Sequence, residues 1–285
     1  MQTLTEIKQL LAGHGLHPKH RLGQNFLHDH NQMRKILAAA ELSAGAPGDV
    51  VLEVGAGTGA LTEQLLEAGA QVVAVEIDTD LEPILQDRLA PYADRVTLVL
   101  GDILATKRTL NPTVLTALSH HAPIPNLQSP IPAFKLIANL PYNVASPLLI
   151  NLAVDHPAMT LGVVMIQREV ADRLLAEPGN KQYGPLTVMV QAMCQVERIS
   201  TLPPGCFWPP PKVDSAVIRL RRREQPLTDD PHALGDLLHR LFSRRRKQLG
   251  AILGRATALP ADIDPNARPE SLSVEQLVTL TRWLQ

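Results

Sequence analysis

The sequence predicts an open α/β sheet with helices on both faces, followed by a small all-helical C-terminal domain. Three observations carry this. Apolar runs of strand length at 50–54, 71–75, 96–100, 134–138 and 161–166 are separated by helix-length segments. A glycine loop, Gly55-Ala56-Gly57-Thr58-Gly59, sits between the first such run and a helical stretch. Beyond a boundary at 224–231, apolar residues recur at helical spacing. The expected domains are therefore residues 1–224 and 225–285.

Residues 1–20 are polar and carry His14, His17, Lys19 and His20; they read as a loose arm, with a metal site on the histidines disfavoured. Arg21 to Leu27 sets the amides of Gln24 and Asn25 beside apolar anchors, suited to capping a ligand or the helix expected near 31–40. The first strand, Val50–Val54, runs into the glycine loop and then a helix near 60–68. Glycines here let the backbone turn tightly and come close to a ligand. Gly55, Gly57 and Ala60 also satisfy the loose dinucleotide pattern, which keeps NAD open at this point.

The second strand ends in Glu76, where a carboxylate can accept hydrogen bonds from a ribose. A helix at 81–89 leads to the third strand, 96–100, which ends in Gly101-Asp102-Ile103. An acid there can accept from an adenine amino group. Three strands thus finish in Glu53, Glu76 and Asp102, at the edge where an open α/β sheet binds its ligand. With no basic residue beside the loop for a second phosphate, the set favours S-adenosylmethionine over a dinucleotide.

Residues 119–133 hold four prolines in 15 positions, which excludes helix and central strand; they read as a surface insertion, with His120 and His121 in solvent. The fourth strand, 134–138, leaves through Asn139-Leu140-Pro141-Tyr142. Pro141 stiffens this exit. The Asn139 amide oxygen and the Leu140 carbonyl are both acceptors and Tyr142 offers a flat face, a combination suited to an aromatic amine. A strand-to-turn exit with a surface tyrosine is the plain alternative.

A helix is expected at 147–154, a fifth strand at 161–166 and an amphipathic helix at 167–175. Residues 186–202 fit helix then strand. The proline-rich loop 203–212 carries Phe207, expected to be exposed or half-exposed: either a second stacking face or a plug on the core. Residues 213–220 alternate as a last strand, open to antiparallel pairing. In the C-terminal part Leu234, Leu237, Leu238, Leu241, Phe242, Leu249 and Ile252 share one helical face. Arg245 falls inside that arc, so it must snorkel or the helix must bend. A helix at 273–284 closes the domain.

Together these segments resemble the ribosomal RNA adenine dimethyltransferase family, and within it the bacterial branch acting on 16S RNA. The resemblance runs from about Leu22 to the C-terminus. It rests on Leu22-Gly23-Gln24-Asn25-Phe26-Leu27, Glu53-Val54-Gly55-Ala56-Gly57-Thr58-Gly59, Asn139-Leu140-Pro141-Tyr142-Asn143, Gln167-Arg168-Glu169-Val170 and Pro209 to Val217, in that order. The insertion at 119–133 and Trp208 depart from the pattern. The resemblance implies a Rossmann-like class I methyltransferase sheet and S-adenosylmethionine as methyl donor. It implies cofactor contacts from Gln24, Asn25, Leu27, Glu53, Gly55, Gly57, Glu76, Ile77, Gly101, Asp102, Ile103 and Asn139. Asn139, Leu140, Pro141 and Tyr142 would position a target adenine, with Phe207 stacked on it. The implied reaction dimethylates N6 of two adjacent adenosines near the 3′ end of 16S RNA, within a pre-30S small subunit.

Total charge does not advertise an RNA partner, since the formal net charge is −1, but its distribution does. From Gly205 to Ala256 eleven Lys/Arg face five Asp/Glu, an asymmetry that suggests a polyanion partner. The expected phosphate contacts are Arg221, Arg222 and Arg223, and Arg244, Arg245, Arg246 and Lys247; a merely solvated helix face is the alternative. The two cysteines, Cys194 and Cys206, have neither metal nor disulfide spacing. No secretory pattern or membrane-length apolar run is present, so a soluble, cytoplasmic monomer is expected.

Overall fold

The computed structural model describes residues 1–43, 48–121 and 131–285. The chain opens with helix α1 (Leu4–Gly13), strand β1 (Phe26–Leu27) and helix α2 (His30–Ala39). Strand–helix units follow: β2 (Val50–Val54) with α3 (Ala60–Glu67), then β3 (Gln71–Glu76) with α4 (Glu82–Leu89). Next come β4 (Val96–Leu100), a hairpin of β5 (Leu104–Thr106) and β6 (Thr109–Leu110), and α5 (Pro112–His120). The parallel part ends with β7 (Phe134–Asn139), α6 (Ala145–Asp155), β8 (Met159–Gln167) and α7 (Arg168–Leu174). After α8 (Pro185–Met193) come β9 (Cys194–Leu202), β10 (Phe207–Trp208) and β11 (Ser215–Arg222). Helices α9 (Pro231–Phe242), α10 (Leu249–Leu253) and α11 (Val274–Leu284) finish the chain.

Seven strands form the main sheet in the order β4-β3-β2-β7-β8-β11-β9. The first five are parallel; β11 is antiparallel to β8 and to β9. Central parallel strands are covered on both faces, which is why they read as unbroken apolar runs. Alternate residues feed two cores. Leu52, Val73 and Val75 face the core completed by Leu118, Leu148 and Leu152. Val51, Val72 and Ala74 face the one completed by Ile36, Leu65 and Leu85.

A third core joins α8 to the C-terminal helices: Tyr183, Val188, Met189 and Ala192 pack with Leu234, Leu238, Leu241, Leu277 and Leu280. The other side of α8 gives Val190 and Met193 to the sheet. The C-terminal helices are therefore built onto α8, which serves both cores.

Three expectations need correction. The N-terminal segment is not a loose arm: α1 buries Ile7 and Leu11 and starts at a capping box between Thr3 and Glu6. The expected insertion starts later, because α5 runs to His120. His121 then lies half-buried between Thr97 and Gln71, its two ring nitrogens 3.1 and 2.9 Å from their side-chain oxygens, so it is not in solvent. Most of the proline-rich stretch, 122–130, lies outside the described residues. Finally, the helix read through 234–252 is two helices. It stops at Phe242 and resumes at Leu249, and Arg245 sits in the intervening turn. That bend resolves the misplaced charge.

Candidate active site

The carboxyl ends of β2, β3, β4 and β7 meet at one pocket, walled on its outer side by residues 21–27. Every residue expected to hold a cofactor or the target lines it except Phe207. Its floor is the glycine loop. Gly55 has φ +81°, and a Cβ there would sit 3.4 Å from the Pro141 ring and 3.5 Å from the Asn139 carbonyl oxygen. The loop thus packs directly against the Asn139–Tyr142 exit at ordinary contact distance, and it is the positive φ of Gly55 that calls for glycine. Gly57 has φ +61°, and a Cβ there would meet the Phe26 ring at 3.2 Å. Phe26 is a wall residue that the sequence gives only as an apolar anchor.

Glu76 shapes the loop from β3. Its Oε2 accepts from the Gly57 N–H at 2.8 Å and its Oε1 from the Asp78 N–H at 2.8 Å. Burial pushes its carboxyl up, and these N–H groups pull it back. Each carboxylate oxygen has a second lone pair, so Glu76 can still accept from a diol. Ile77, next along, is 45% exposed and offers an apolar platform. Asp102 uses Oδ1 to accept from the Leu104 N–H at 2.9 Å and is otherwise exposed.

Glu53 is the unusual group. It is 1% exposed, lines the pocket, and its Oε2 has no hydrogen-bond partner among the described residues. Burial, reinforced by the nearby Glu76 and opposed by Thr62, pushes its carboxyl up to about 8. A buried acid with an orphaned oxygen beside a cavity suits a cationic ligand group.

On the target side, the Asn139 amide is oriented by a contact across the pocket. Its Nδ2 donates to the Asn25 carbonyl at 3.0 Å, which leaves Oδ1 without a protein donor among the described residues. The Leu140 N–H donates to the Met165 carbonyl at 3.0 Å, anchoring the residue whose carbonyl, in the following Leu140–Pro141 peptide, is the second acceptor. Tyr142 shares a 3.0 Å hydrogen bond with the Ser215 hydroxyl, and burial raises its phenol.

Residues 19–25 are strapped down. Gln24 accepts from the Lys19 N–H at 2.7 Å and donates to Asp78 at 2.7 Å, so both ends of its amide are occupied by the protein. Lys19 itself bridges Asp78 and Asp80. Gln24 therefore braces the wall, and its second N–H and second lone pair stay available toward the pocket it lines. Asn25 donates to the Gly23 carbonyl and keeps its Oδ1. Gln2, buried under α1, donates to the Thr58 carbonyl at 2.9 Å and accepts from the Thr58 hydroxyl at 2.7 Å, so the N-terminus buttresses the glycine loop. Nothing in the sequence flagged Gln2; the Thr3…Glu6 capping-box pattern is the available signal.

Phe207 is a correction. It is 3% exposed and belongs to the core under α2. Strands β1 and β10 form a two-stranded antiparallel sheet that pairs Leu27 with Phe207 and Phe26 with Trp208. This pairing buries the ring, so of the two readings of Phe207 the plug is the one observed. Trp208 stacks on Phe26 at 6.5 Å, with the Lys8 ammonium 5.5 Å over its face.

The two basic runs differ. Because β11 is antiparallel, Ser215 pairs with Gln167 at the pocket edge while Arg221 pairs with Leu161, six residues or about 20 Å away. Arg222 donates to the carbonyls of Leu152, Ala153, His156 and Met159, closing the end of α6. Arg223 donates to the Gln191 carbonyl, and Arg221 pairs with Glu41 at 2.6 Å. Arg222 and Arg223 are structural here, which corrects the phosphate expectation for them, and Arg221 already has a carboxylate. In the second run Arg245 is also engaged, with Glu270 and with the carbonyls of Asn180 and Lys181. Arg244, Arg246 and Lys247 are exposed and have no side-chain partner among the described residues. No set of metal-binding groups and no membrane-length apolar helix occurs among the described residues.

Comparison with known proteins agrees with this geometry. A model of the ribosomal RNA adenine dimethylase family matches residues 15–285. A ribosomal RNA small subunit methyltransferase A from Cutibacterium acnes is 37% identical, covering 98% of this chain and 92% of its own. The protein of the same name from Geobacillus kaustophilus is 38% identical, over 97% and 94%. Among solved structures, a dimethyladenosine transferase from Plasmodium falciparum superposes with a TM-score of 0.70 at 26% identity, over 90% of this chain and 95% of that one. The 23S rRNA methyltransferase ErmE gives 0.65 at 26% identity, over 91% and 99%. The superpositions assign this chain's mixed seven-stranded α/β sheet to the class I methyltransferase fold. The chain belongs to the ribosomal RNA adenine dimethylase family.

Proposed function

We propose that this protein transfers methyl groups from S-adenosylmethionine to N6 of two adjacent adenosines near the 3′ end of 16S ribosomal RNA, in a pre-30S small subunit. The observation that carries this reading is the pair of acceptors without a donor among the described residues, Asn139 Oδ1 and the Leu140 carbonyl, at the rim of the pocket that holds Glu53, Glu76 and Asp102. The names of the small-subunit relatives support 16S RNA over 23S RNA.

The pocket fits the cofactor. Glu53, with its orphaned oxygen, would face a cationic end, Glu76 the ribose hydroxyls, and Asp102 with Ile77 the adenine. S-adenosylmethionine supplies an electrophilic methyl group on a sulfonium. The chain's own residues act on the target. The N6 lone pair of adenine is delocalised into its ring. Asn139 Oδ1 and the Leu140 carbonyl accept the two N–H hydrogens, localise that lone pair and aim it into the pocket. Tyr142 presents its ring to the base, which must first leave its stack. The rate gain then comes from placement and fixed dipoles. Phe207 can stack on the base only if β10 parts from β1. The exposed turn Arg244–Lys247 serves phosphate, with the C-terminal helices as its platform.

Incubation of purified protein and labelled S-adenosylmethionine with small subunits from cells lacking it tests the reading. Label recovered as N6,N6-dimethyladenosine at two adjacent 3′-end positions is expected. Label elsewhere, or none, would overturn it.

A further inference from the structure

Beside the active pocket, behind Tyr142, lies a polar groove that the reaction above does not use. It is formed by the end of β8, the start of α7, Gln182, Pro204 and residues 212–214, and is an open groove of about 530 Å³. Its wall is continuous with the target pocket: Ser215, bonded to the Tyr142 hydroxyl, follows Asp214 in sequence and pairs with Gln167 across the sheet.

The chemistry of the groove is selective. Its acids are already matched: Asp214 and Asp172 pair with Arg168, Asp172 also with Arg198, and Glu169 with Arg173. Lys212 is exposed and is the groove cation with no carboxylate partner among the described residues. The side-chain amides of Gln167 and Gln182 likewise make no hydrogen bond among the described residues, and Val213 is 45% exposed beside them. One free cation, two free amides and one apolar contact are what a nucleotide requires. An amide matches adenine through N6 and N7, whereas guanine presents only acceptors at the corresponding edge. The groove also leads outward to positive charge. Gln182 adjoins Lys181, whose carbonyl accepts from Arg245 in the turn carrying Arg244, Arg246 and Lys247.

We propose that this groove holds the nucleotide next to the adenosine under methylation and recognises it as adenosine, with Gln167 and Gln182 on the base and Lys212 on its phosphate. The RNA strand then runs from the target pocket past Tyr142, through the groove, to the basic turn. This rests on the adenosine-methylating reading above and adds a specificity element to it: the adenosine whose still unmethylated neighbour lies on the groove side is read in protein, at a second site, and is methylated first.

The test is a two-by-two comparison of kcat/KM with unmethylated small subunits, native or with one adenosine of the pair replaced by guanosine. Of the two possible substitutions, the one that places guanosine in the groove should make wild type methylate the remaining adenosine roughly ten- to a hundredfold more slowly, and the other should not. Gln182→Ala should slow reaction on native subunits by about tenfold and leave those with guanosine in the groove unchanged, because the contact is already lost there. Lys212→Ala should slow both equally. Adenosylmethionine affinity, measured by calorimetry, should be the same in all variants and confirms that each is folded. Equal effects of Gln182→Ala on both substrates, or none on either, would overturn base recognition by the groove. Wild type that binds cofactor but leaves native subunits unmethylated would overturn the underlying reading as well.

Discussion

At the carboxyl edge of the sheet, Glu53 Oε2 and Asn139 Oδ1 have no protein partner among the described residues, whereas at the amino edge several charged groups engage one another. There Arg222 holds four backbone carbonyls, Arg219 and Arg221 share Glu41, and Lys135 joins Asp49 to the Glu41 carbonyl. The lesson is that charge in the sequence does not locate a ligand. Unspent hydrogen-bonding capacity on groups that line a cavity does, and the fold decides which residues keep it there. A buried polar group is costly unless partnered, so an edge that leaves such groups open is reserved for something that binds.

Substitutions at the two edges should therefore fail in different ways. The largest effect belongs to Arg222→Ala, which strands four carbonyls at the end of α6. It should lower unfolding free energy by about 2–4 kcal/mol in denaturant titration, with kcat of the folded fraction unchanged. Lost catalysis at full stability would break the contrast. Next is Glu76→Ala at the opposite edge: adenosylmethionine affinity should fall about a hundredfold by calorimetry, since both the diol acceptor and the loop brace disappear. Affinity within a few-fold of wild type would count against the assignment.

Glu53 gives a pH signature. Its carboxyl is raised in the folded state to about 8, so the native protein binds a proton that the unfolded chain has released. Its stabilising contribution is complete below about pH 4.5 and is lost as pH rises through about 8. Relative to Glu53→Gln, wild type should lose stability on the order of 3 kcal/mol between pH 5 and pH 8; parallel curves would show an ionised Glu53. The smallest effect concerns salt. Removing Arg246 or Lys247 should reduce the slope of log affinity for RNA against log salt by about 0.7–0.9 each, while Arg221→Ala should leave it unaltered.

Much of the fold is readable from residues. β2, β3 and β7 announce themselves because double-faced burial demands continuous apolar runs. Even the helix-then-strand of 186–202 is legible. What escapes is set by long-range pairing. The reversal of β11 carries Arg221–Arg223 to the far edge, and only the register with β8 reveals it. The burial of Phe207 follows from a two-residue strand pair with β1, too short for any periodicity. Gln24 is legible as a pocket residue, but its role as a brace depends on Asp78, 54 positions away. The hairpin β5–β6 and helix α1 are short elements whose stability comes from packing, so composition conceals them.

The account turns on Asn139 and Leu140 holding an amine between side-chain and backbone oxygens. The most direct measurement is single-turnover methyl transfer to small-subunit RNA by Asn139→Ala, with adenosylmethionine binding followed in parallel. The rate should fall by about 10²–10³ while cofactor affinity stays within about threefold. An unchanged rate, or a loss accounted for wholly by weaker cofactor binding, would contradict the account.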